Sequence, residues 1–222
     1  MQDLNAIREA VIGGLHREIE ARIGKATAVG VPPSAVMNDG LIAAMDEIGR
    51  RYGAGEIFVP EMLVAALTMK KGLDSLKPLL AAGGAVPAGT ILMATVKGDL
   101  HDIGKNIVAM MLEGAGFRVV DLGVDVDTEK VIRGIEAENP DILGFSSLLT
   151  TTMPEMRAII AALEARGLRD RVRIMVGGAP LDAAYAARIG ADGYGKDAVA
   201  AVEMVRRFMA KRRPQCCSAP AG

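Results

Sequence analysis

From Thr90 onward the chain settles into a strand–helix alternation that leaves few folds open to it. Strand-like runs at 91–95, 118–122, 142–146, 173–176 and the short 191–194 are separated or followed by helical spacing at 107–115, 128–138, 154–166, 182–189 and 197–209. Strands kept apart by helices cannot pair as hairpins. Five β/α units in succession imply a parallel sheet covered on both faces, a Rossmann-like (flavodoxin-like) α/β layer. In such sheets ligands bind beyond the carboxyl ends of the strands, near the point where strand order reverses.

Unusual residues gather at those ends. The first strand is followed by Gly98-Asp99-Leu100-His101-Asp102-Ile103-Gly104, and the third by Ser146-Ser147-Leu148-Leu149-Thr150-Thr151-Thr152. Gly177-Gly178-Ala179 follows the fourth, and the fifth carries Gly193-Tyr194-Gly195. Glycines are ordinary at strand-to-helix turns. Beside hydroxyls and an Asp-His pair, however, they outline a slot in which backbone comes close to a bulky ligand.

The segment from Lys97 to Asn106 reads as a polar loop. Within it, Asp99 and His101 sit two apart, so a carboxylate can orient an imidazole and leave its other nitrogen free for a metal. A phosphate-binding loop needs four residues between its glycine and Gly-Lys, then Ser or Thr. Here five residues separate Gly98 from Gly104, and Asn106 follows Lys105. A zinc site needs three or four protein ligands, yet the other histidine is His16 and the cysteines are Cys216 and Cys217. A metal at His101 therefore has to arrive inside a cofactor.

The first 85 or so residues contain nothing strand-like. Leu4, Ile7, Val11, Leu15, Ile19, Ile23 and Ala26 mark one amphipathic helix running to about Val29, with His16 on its surface. Val31-Pro32-Pro33-Ser34 interrupts it; Ser34 is expected to cap a second helix that ends at Gly53 and Gly55. Pro60 suits the first turn of a third, which continues, or gives way to a fourth, between Leu73 and Leu80. Pro78 and residues 81–87 read as a linker. The expected organisation is a four-helix cap bundle at 1–86, an α/β domain at 87–213 and a disordered tail at 214–222.

Composition narrows the function. A net charge of −1, 3% aromatic residues and no Trp argue against a nucleic-acid surface. No apolar run approaches the ~18 residues of a membrane span, and no secretory leader is visible, so a cytoplasmic location is expected. The 13 methionines read as adaptable core filler.

The pattern Asp99-x-His101-x-x-Gly104, then Ser146-x-Leu148, then Gly177-Gly178 resembles the signature of cobalamin-binding domains of the methionine synthase and corrinoid methyltransferase type. Tyr52-Gly53-Ala54-Gly55-Glu56-Ile57-Phe58-Val59-Pro60-Glu61 is similar to the segment joining helices in the cap that shields the upper corrin face of these proteins. The resemblance covers nearly the whole chain. It implies that the dimethylbenzimidazole tail of cobalamin, or of a related corrinoid, leaves cobalt and enters the slot, and that His101 replaces it as lower axial ligand. Asp99 would be its hydrogen-bonded partner, and Thr150 matches a family threonine. Thr152 stands where the family has a serine, keeping a hydroxyl and adding a methyl group. Ser146 would meet the benzimidazole nitrogen, Leu148 and Gly178 would wall the slot, and Gly104 would let the loop pass the nucleotide tail. Gly98, Asp102, Ile103, Gly177, Ala179, Gly193, Tyr194 and Gly195 complete the expected lining.

The chemistry implied is methyl transfer through methylcobalamin. Co(I) takes a methyl group and prefers no axial base, whereas methyl-Co(III) prefers one, so His101 must bind and release while Asp99 and Thr152 handle the compensating proton. The chain has no room for the barrels of methionine synthase. It resembles instead a free-standing carrier, served by a substrate-specific methyltransferase of TIM-barrel type, an acceptor methyltransferase using tetrahydrofolate or a thiol, and a reductive activase. Methylamine, methanol and O-demethylation systems all use such carriers. Two other readings share the motif: a subunit of an adenosylcobalamin-dependent mutase, which usually lacks this cap, and a cobalamin-based sensor, which usually carries a DNA-binding module.

Overall fold

The computed structural model describes residues 2–82 and 87–211. The chain opens with α1 (Gln2–Ile12) and α2 (Ile19–Ala28), where the sequence spacing predicts a single helix. The break falls at Gly13-Gly14. Gly14 has φ +66°, and a Cβ placed on it would lie 2.4 Å from Val64 Cγ1. The turn therefore needs glycine twice, for its left-handed backbone and for the closeness of the neighbouring helix. Leu15 N–H donates to Ala10 O (2.8 Å) and Gly14 N–H to Val11 O (3.1 Å), closing the end of α1. Apolar spacing continues across the break, so periodicity alone runs the two helices together.

A second rod follows: α3 (Pro33–Ala35), a π-helical stretch Val36–Ile42 and α4 (Ala43–Gly53), joined end to end. Pro33, not Ser34, begins it, and Ser34 makes no capping bond. Gly53 ends it as expected. The last helix of this region, α5 (Val59–Ala82), is continuous and contains Pro78, which the sequence reading assigns to a linker. Leu76 and Leu80, buried on either side of the proline, hold the helix together despite the hydrogen bond it loses. Residues 83–86 of the expected linker, and the tail 214–222 with Cys216 and Cys217, lie outside the described residues.

The sheet contains β1 (Thr90–Thr95), β2 (Arg118–Asp121), β3 (Ile142–Ser146), β4 (Arg173–Gly177) and β5 (Gly193–Gly195). All neighbours are parallel, in the order β2-β1-β3-β4-β5. The chain moves from β1 outward to β2 and then back across to β3. That reversal opens a crevice at the carboxyl ends of β1 and β3. Helices α6 (Ile103–Gly114), α7 (Thr128–Glu138), α8 (Met153–Ala165), α9 (Ala183–Arg188) and α10 (Ala198–Ala210) supply the connections and the closing element. Helix α6 begins four residues before the expected Ile107, because Asn106 N–H already donates to Asp102 O at 2.8 Å.

Side-chain alternation along the strands sorts the core into two layers. Ile91, Met93, Ile142 and Met175 face α6 and α10, while Leu92, Ala94, Leu143, Phe145, Ile174 and Val176 face α7, α8 and α9. The helical bundle belongs to the first layer, whose apolar cluster runs without interruption from Ile7 and Val11 to Met111 and Val205. Its joint with the α/β layer is close at Gly114, where an added Cβ would lie 3.2 Å from Met45 Cγ. Asp46–Arg206 (2.7 Å) and Lys70–Glu113 (3.3 Å) tie the edges of the joint.

The Gly14 turn gives the first prediction. Gly14→Ala should lower stability by about 1–3 kcal/mol through left-handed strain and the clash with Val64. Adding Val64→Ala, at a site that is partly exposed, should recover the clash and leave about 1 kcal/mol of backbone strain, measured by denaturant unfolding of the single and double variants.

Candidate functional site at the crest of the sheet

Asp99 is fully buried at the reversal point. Its Oδ1 accepts from the His101 backbone N–H (3.0 Å) and bonds the His101 ring at Nδ1 (2.7 Å). Its Oδ2 accepts from Leu148 N–H (2.7 Å), from Leu149 N–H (3.3 Å) and from the Thr152 hydroxyl (3.1 Å). One carboxylate thus ties the loop after β1 to the loop after β3. Burial by itself pushes this carboxyl up, but the N–H groups of His101 and Leu148, the His101 ring and the Thr152 hydroxyl outweigh it. The net result is a carboxyl held well below the usual carboxylate range.

An ionised Asp99 only accepts, so the proton of the neutral imidazole sits on Nδ1 and the lone pair on Nε2. The His101 side chain is 52% exposed. Nε2 is therefore a presented donor. The backbone of the loop is held too, since Thr95 Oγ1 donates to the His101 main-chain carbonyl (3.0 Å). The same two loops carry large apolar side chains that a lone domain would normally cover: Leu100 and Ile103 are 71% and 76% exposed, and Leu148 and Leu149 about two-fifths. Among the described residues no group of three or more His, Cys, Asp or Glu converges to hold a bare ion. A metal meeting Nε2 has to bring its own equatorial ligands, and the apolar surroundings suit a broad, flat macrocycle carrying it.

The substitution of threonine for serine at 152 is accommodated. Its hydroxyl bonds Asp99, and its Cγ2 lies 3.3 Å from where a Gly98 Cβ would be. The extra methyl fills space that glycine leaves. Sequence reasoning missed the next member of the chain of hydroxyls: Ser147, fully buried, lies 2.8 Å from Thr152 Oγ1 and, with the Thr152 proton given to Asp99, donates to that oxygen. The doubled serine after β3 was the available signal, since the residue after Ser146 on a strand end turns to the opposite side. Lys105 was missed as well. It is buried and paired with Asp121, and it donates to Asn106 Oδ1 (2.9 Å).

The other expected residues fall into two groups. Asp102 precedes α6 and accepts from Asn106 Nδ2 (3.0 Å), and Gly104 lies in the first turn with open space where a side chain would project. Ser146 O accepts from Val96 N–H (3.1 Å), joining β3 to the loop, and Thr150 is exposed on the turn before α8. Gly178 has φ +135°, and a Cβ there would lie 1.8 Å from Ser147 O, so the backbones of the third and fourth loops touch. Only glycine permits that approach. Ala179 follows, exposed. Gly177 and Gly195 abut across β4 and β5, with 3.1 Å from a Gly177 Cβ to Gly195 O. Gly193 and Gly195 also make room for α10, through Met204 and Ala201, and Tyr194 packs into the opposite core layer. No hydrogen bond joins Gly193, Tyr194 or Gly195 to the Asp99 network among the described residues.

With this geometry established, comparison with known proteins places the chain. A family model described as a B12 binding domain matches residues 89–203, and a second of the same description matches residues 3–77. The dimethylamine corrinoid protein of Methanosarcina barkeri is 39% identical over 208 residues, covering 93% of this chain and 97% of that protein. Trimethylamine corrinoid protein 2 of Methanosarcina mazei is 40% identical over 192 residues, covering 85% and 88%. Among solved structures, the methanol:cobalamin methyltransferase complex of M. barkeri aligns with TM-score 0.85 at 29% identity, over 95% of this chain and 81% of that one. A cobalamin-binding protein from Desulfitobacterium hafniense aligns with TM-score 0.77 at 33% identity, over 94% and 99%. Two matched domains and relatives aligned over most of their own length lead to one statement: the chain belongs to the B12-binding family of corrinoid proteins found in methylamine and methanol methyltransferase systems.

Proposed function

We propose that the chain is a corrinoid methyl carrier, with His101 as the lower axial ligand, passing methyl groups from a substrate-specific methyltransferase to an acceptor methyltransferase. The observation that carries this reading is the presented Nε2 of a ring fixed through Nδ1 by buried Asp99. When bound, the corrinoid supplies a cobalt centre that takes up and releases a methyl group. His101 offers Nε2 to that centre, and Leu100, Ile103, Leu148 and Leu149 give apolar cover beside it. Leu148 and Gly178 would wall the slot for the cofactor's nucleotide tail, Ser146 would meet its base, and Gly104 would leave it passage.

Proton handling follows from the hydrogen bonds. Asp99 and Thr152 are expected from the sequence to share the proton that accompanies release of His101. With five donors around it, Asp99 stays ionised, so the proton enters at Nε2 and is stored on the imidazole as a cation paired with that carboxylate. Thr152 and Ser147 fix the far side of the carboxylate and keep it from turning.

The described rim offers one metal-binding nitrogen and no second acid–base set to activate a methyl donor. In this reading a donor methyltransferase of barrel type supplies that activation, a second enzyme removes the methyl group to tetrahydrofolate or a thiol, and a reductive activase rescues oxidised cofactor; the relative solved as a methanol:cobalamin methyltransferase complex supports a methyltransferase partner. The relatives named for dimethylamine and trimethylamine, and the methanol complex, support methylated amines or methanol as the ultimate donors. We assign residues 1–86 as the cap over the upper face and 87–213 as the cofactor domain, working in the cytoplasm; no helix among the described residues is long and apolar enough to cross a membrane.

The direct test is spectroscopic. In Co(II) holo-protein, electron paramagnetic resonance should show nitrogen hyperfine coupling from His101, and His101→Ala should abolish it; coupling unchanged in that variant would remove the assignment. Thr152→Val should destabilise the apo-protein by about 1.5–3 kcal/mol, because a hydroxyl bonded to a buried carboxylate is lost, whereas Thr152→Ser should cost under about 1 kcal/mol.

Asp99 also gives a pH dependence with a definite sign. Its folded-state pKa lies below its unfolded value, so its stabilisation is complete above roughly pH 4–5 and fades as acid approaches the folded value. The difference in melting temperature between wild type and Asp99→Asn should therefore be level from pH 8 to 5 and shrink below 4, read by thermal denaturation of apo-protein.

Access to the upper face requires the bundle to move. Val199 methyl carbons lie 3.8 Å from where a Gly49 Cβ would stand, close enough for a disulfide between cysteines at these two positions. Oxidation of Gly49→Cys/Val199→Cys should slow methyl transfer at least about tenfold relative to the reduced form; equal rates would show that the bundle need not move.

A further inference from the structure

The loop that carries His101 is gripped from a side that the proposed chemistry does not use. After β2 the chain runs as segment 121–126 alongside it. Leu122 N–H donates to Met93 O (2.8 Å), Thr95 N–H to Gly123 O (3.0 Å) and Val126 N–H to Thr95 O (3.0 Å), and Val96 pairs with Val126 in a parallel bridge. The segment is anchored at its start by Asp121, exposed but paired with the buried Lys105, and the second oxygen of Asp121 accepts Gly123 N–H (2.9 Å).

At the far end of the segment stands Asp125, with φ +51°. Among the described residues only Asn139 shares this backbone region without being glycine, and Asn139 has an evident reason, since it caps the carboxyl end of α7. Asp125 has no such reason and is exposed, so packing does not impose its conformation. Its hydrogen bonds do. Oδ1 accepts Gly98 N–H at 2.7 Å, and its own N–H donates to Asp99 O at 3.0 Å. The two bonds hold consecutive residues, the second being the carboxylate that orients His101. Glycine would adopt the backbone more cheaply but would supply no acceptor.

We propose that Asp125 is a positioning residue, a strained clamp whose bonds to Gly98 and Asp99 keep the loop, and through it the His101 ring, in the presented orientation. The proposal rests on the role given to His101 above. It accounts for an unfavourable backbone at an exposed residue, and it places the control of His101 on the segment after β2, through bonds to Gly98 and Asp99.

Asp125→Gly and Asp125→Asn, studied first as apo-protein, separate the clamp from mere structure. Asp125→Gly should melt close to the wild-type temperature, because relief of the backbone strain offsets most of the lost bond. Its Gly98 amide should exchange at least about tenfold faster by nuclear magnetic resonance, for want of a charged acceptor. The His101 Nδ1–H resonance should broaden with it. Asp125→Asn, which keeps an oxygen acceptor and tolerates the backbone, should stay within about threefold of wild-type exchange. In Co(II) holo-protein, Asp125→Gly should show weakened or heterogeneous His101 nitrogen coupling at the pH where wild type shows a single, resolved set. Wild-type Gly98 exchange in Asp125→Gly, or an altered exchange with an unaltered His101 resonance, would overturn the clamp. Absence of nitrogen coupling in the wild-type holo-protein would count instead against the role of His101, leaving the apo measurements to decide the clamp.

Discussion

A charge buried between two strand ends organises this protein. Leaving Asp99 ionised and out of water would be prohibitively unfavourable without partners, and the chain surrounds it with backbone N–H groups from both loops, a hydroxyl and an imidazole. Satisfying that carboxylate fixes where the loop after β3 must sit relative to the loop after β1. Orientation of His101 is then a by-product of electrostatic necessity. A neutral side chain at 99 would relax both loops together.

The sheet makes the arrangement possible. With order β2-β1-β3-β4-β5, β1 and β3 are neighbours whose following helices leave on opposite faces, so their loops diverge and leave a crest between them. Gly178 then lets the fourth loop press onto Ser147 from the next position. Segment 121–126 braces the first loop from the other flank. The His101 loop is thereby restrained on both sides along the sheet while its outward face stays open.

Much of this was legible from residue order. Period and punctuation gave five β/α units, and the Asp99-x-His101 spacing anticipated the 2.7 Å bond to Nδ1. The failures have identifiable physical sources. Gly13-Gly14 broke a helix whose apolar spacing continued unperturbed, because the break lies in the left-handed backbone of Gly14, which periodicity does not register. Pro78 looked like an ending, yet burial of Leu76 and Leu80 outweighed one missing hydrogen bond. Ser147, Lys105 and Asp125 act through partners between 5 and 27 residues away, and local patterns carry no trace of such pairings. Asp125 is the clearest case, since nothing in its neighbours forecasts a left-handed backbone.

The two core layers differ in texture as well as position. The layer shared by the bundle, α6 and α10 buries Met45, Met62, Met69, Met93, Met111, Met175 and Met204, whereas the opposite layer buries Met156 alone among branched and aromatic side chains. Unbranched thioethers fill irregular space in several rotamers at little cost, while branched side chains lock into one. One face of the sheet is therefore set like mortar and the other behaves like a lubricant film. Under the proposed movement of the bundle, contacts on that side could be remade by rotation of thioether side chains, without opening voids.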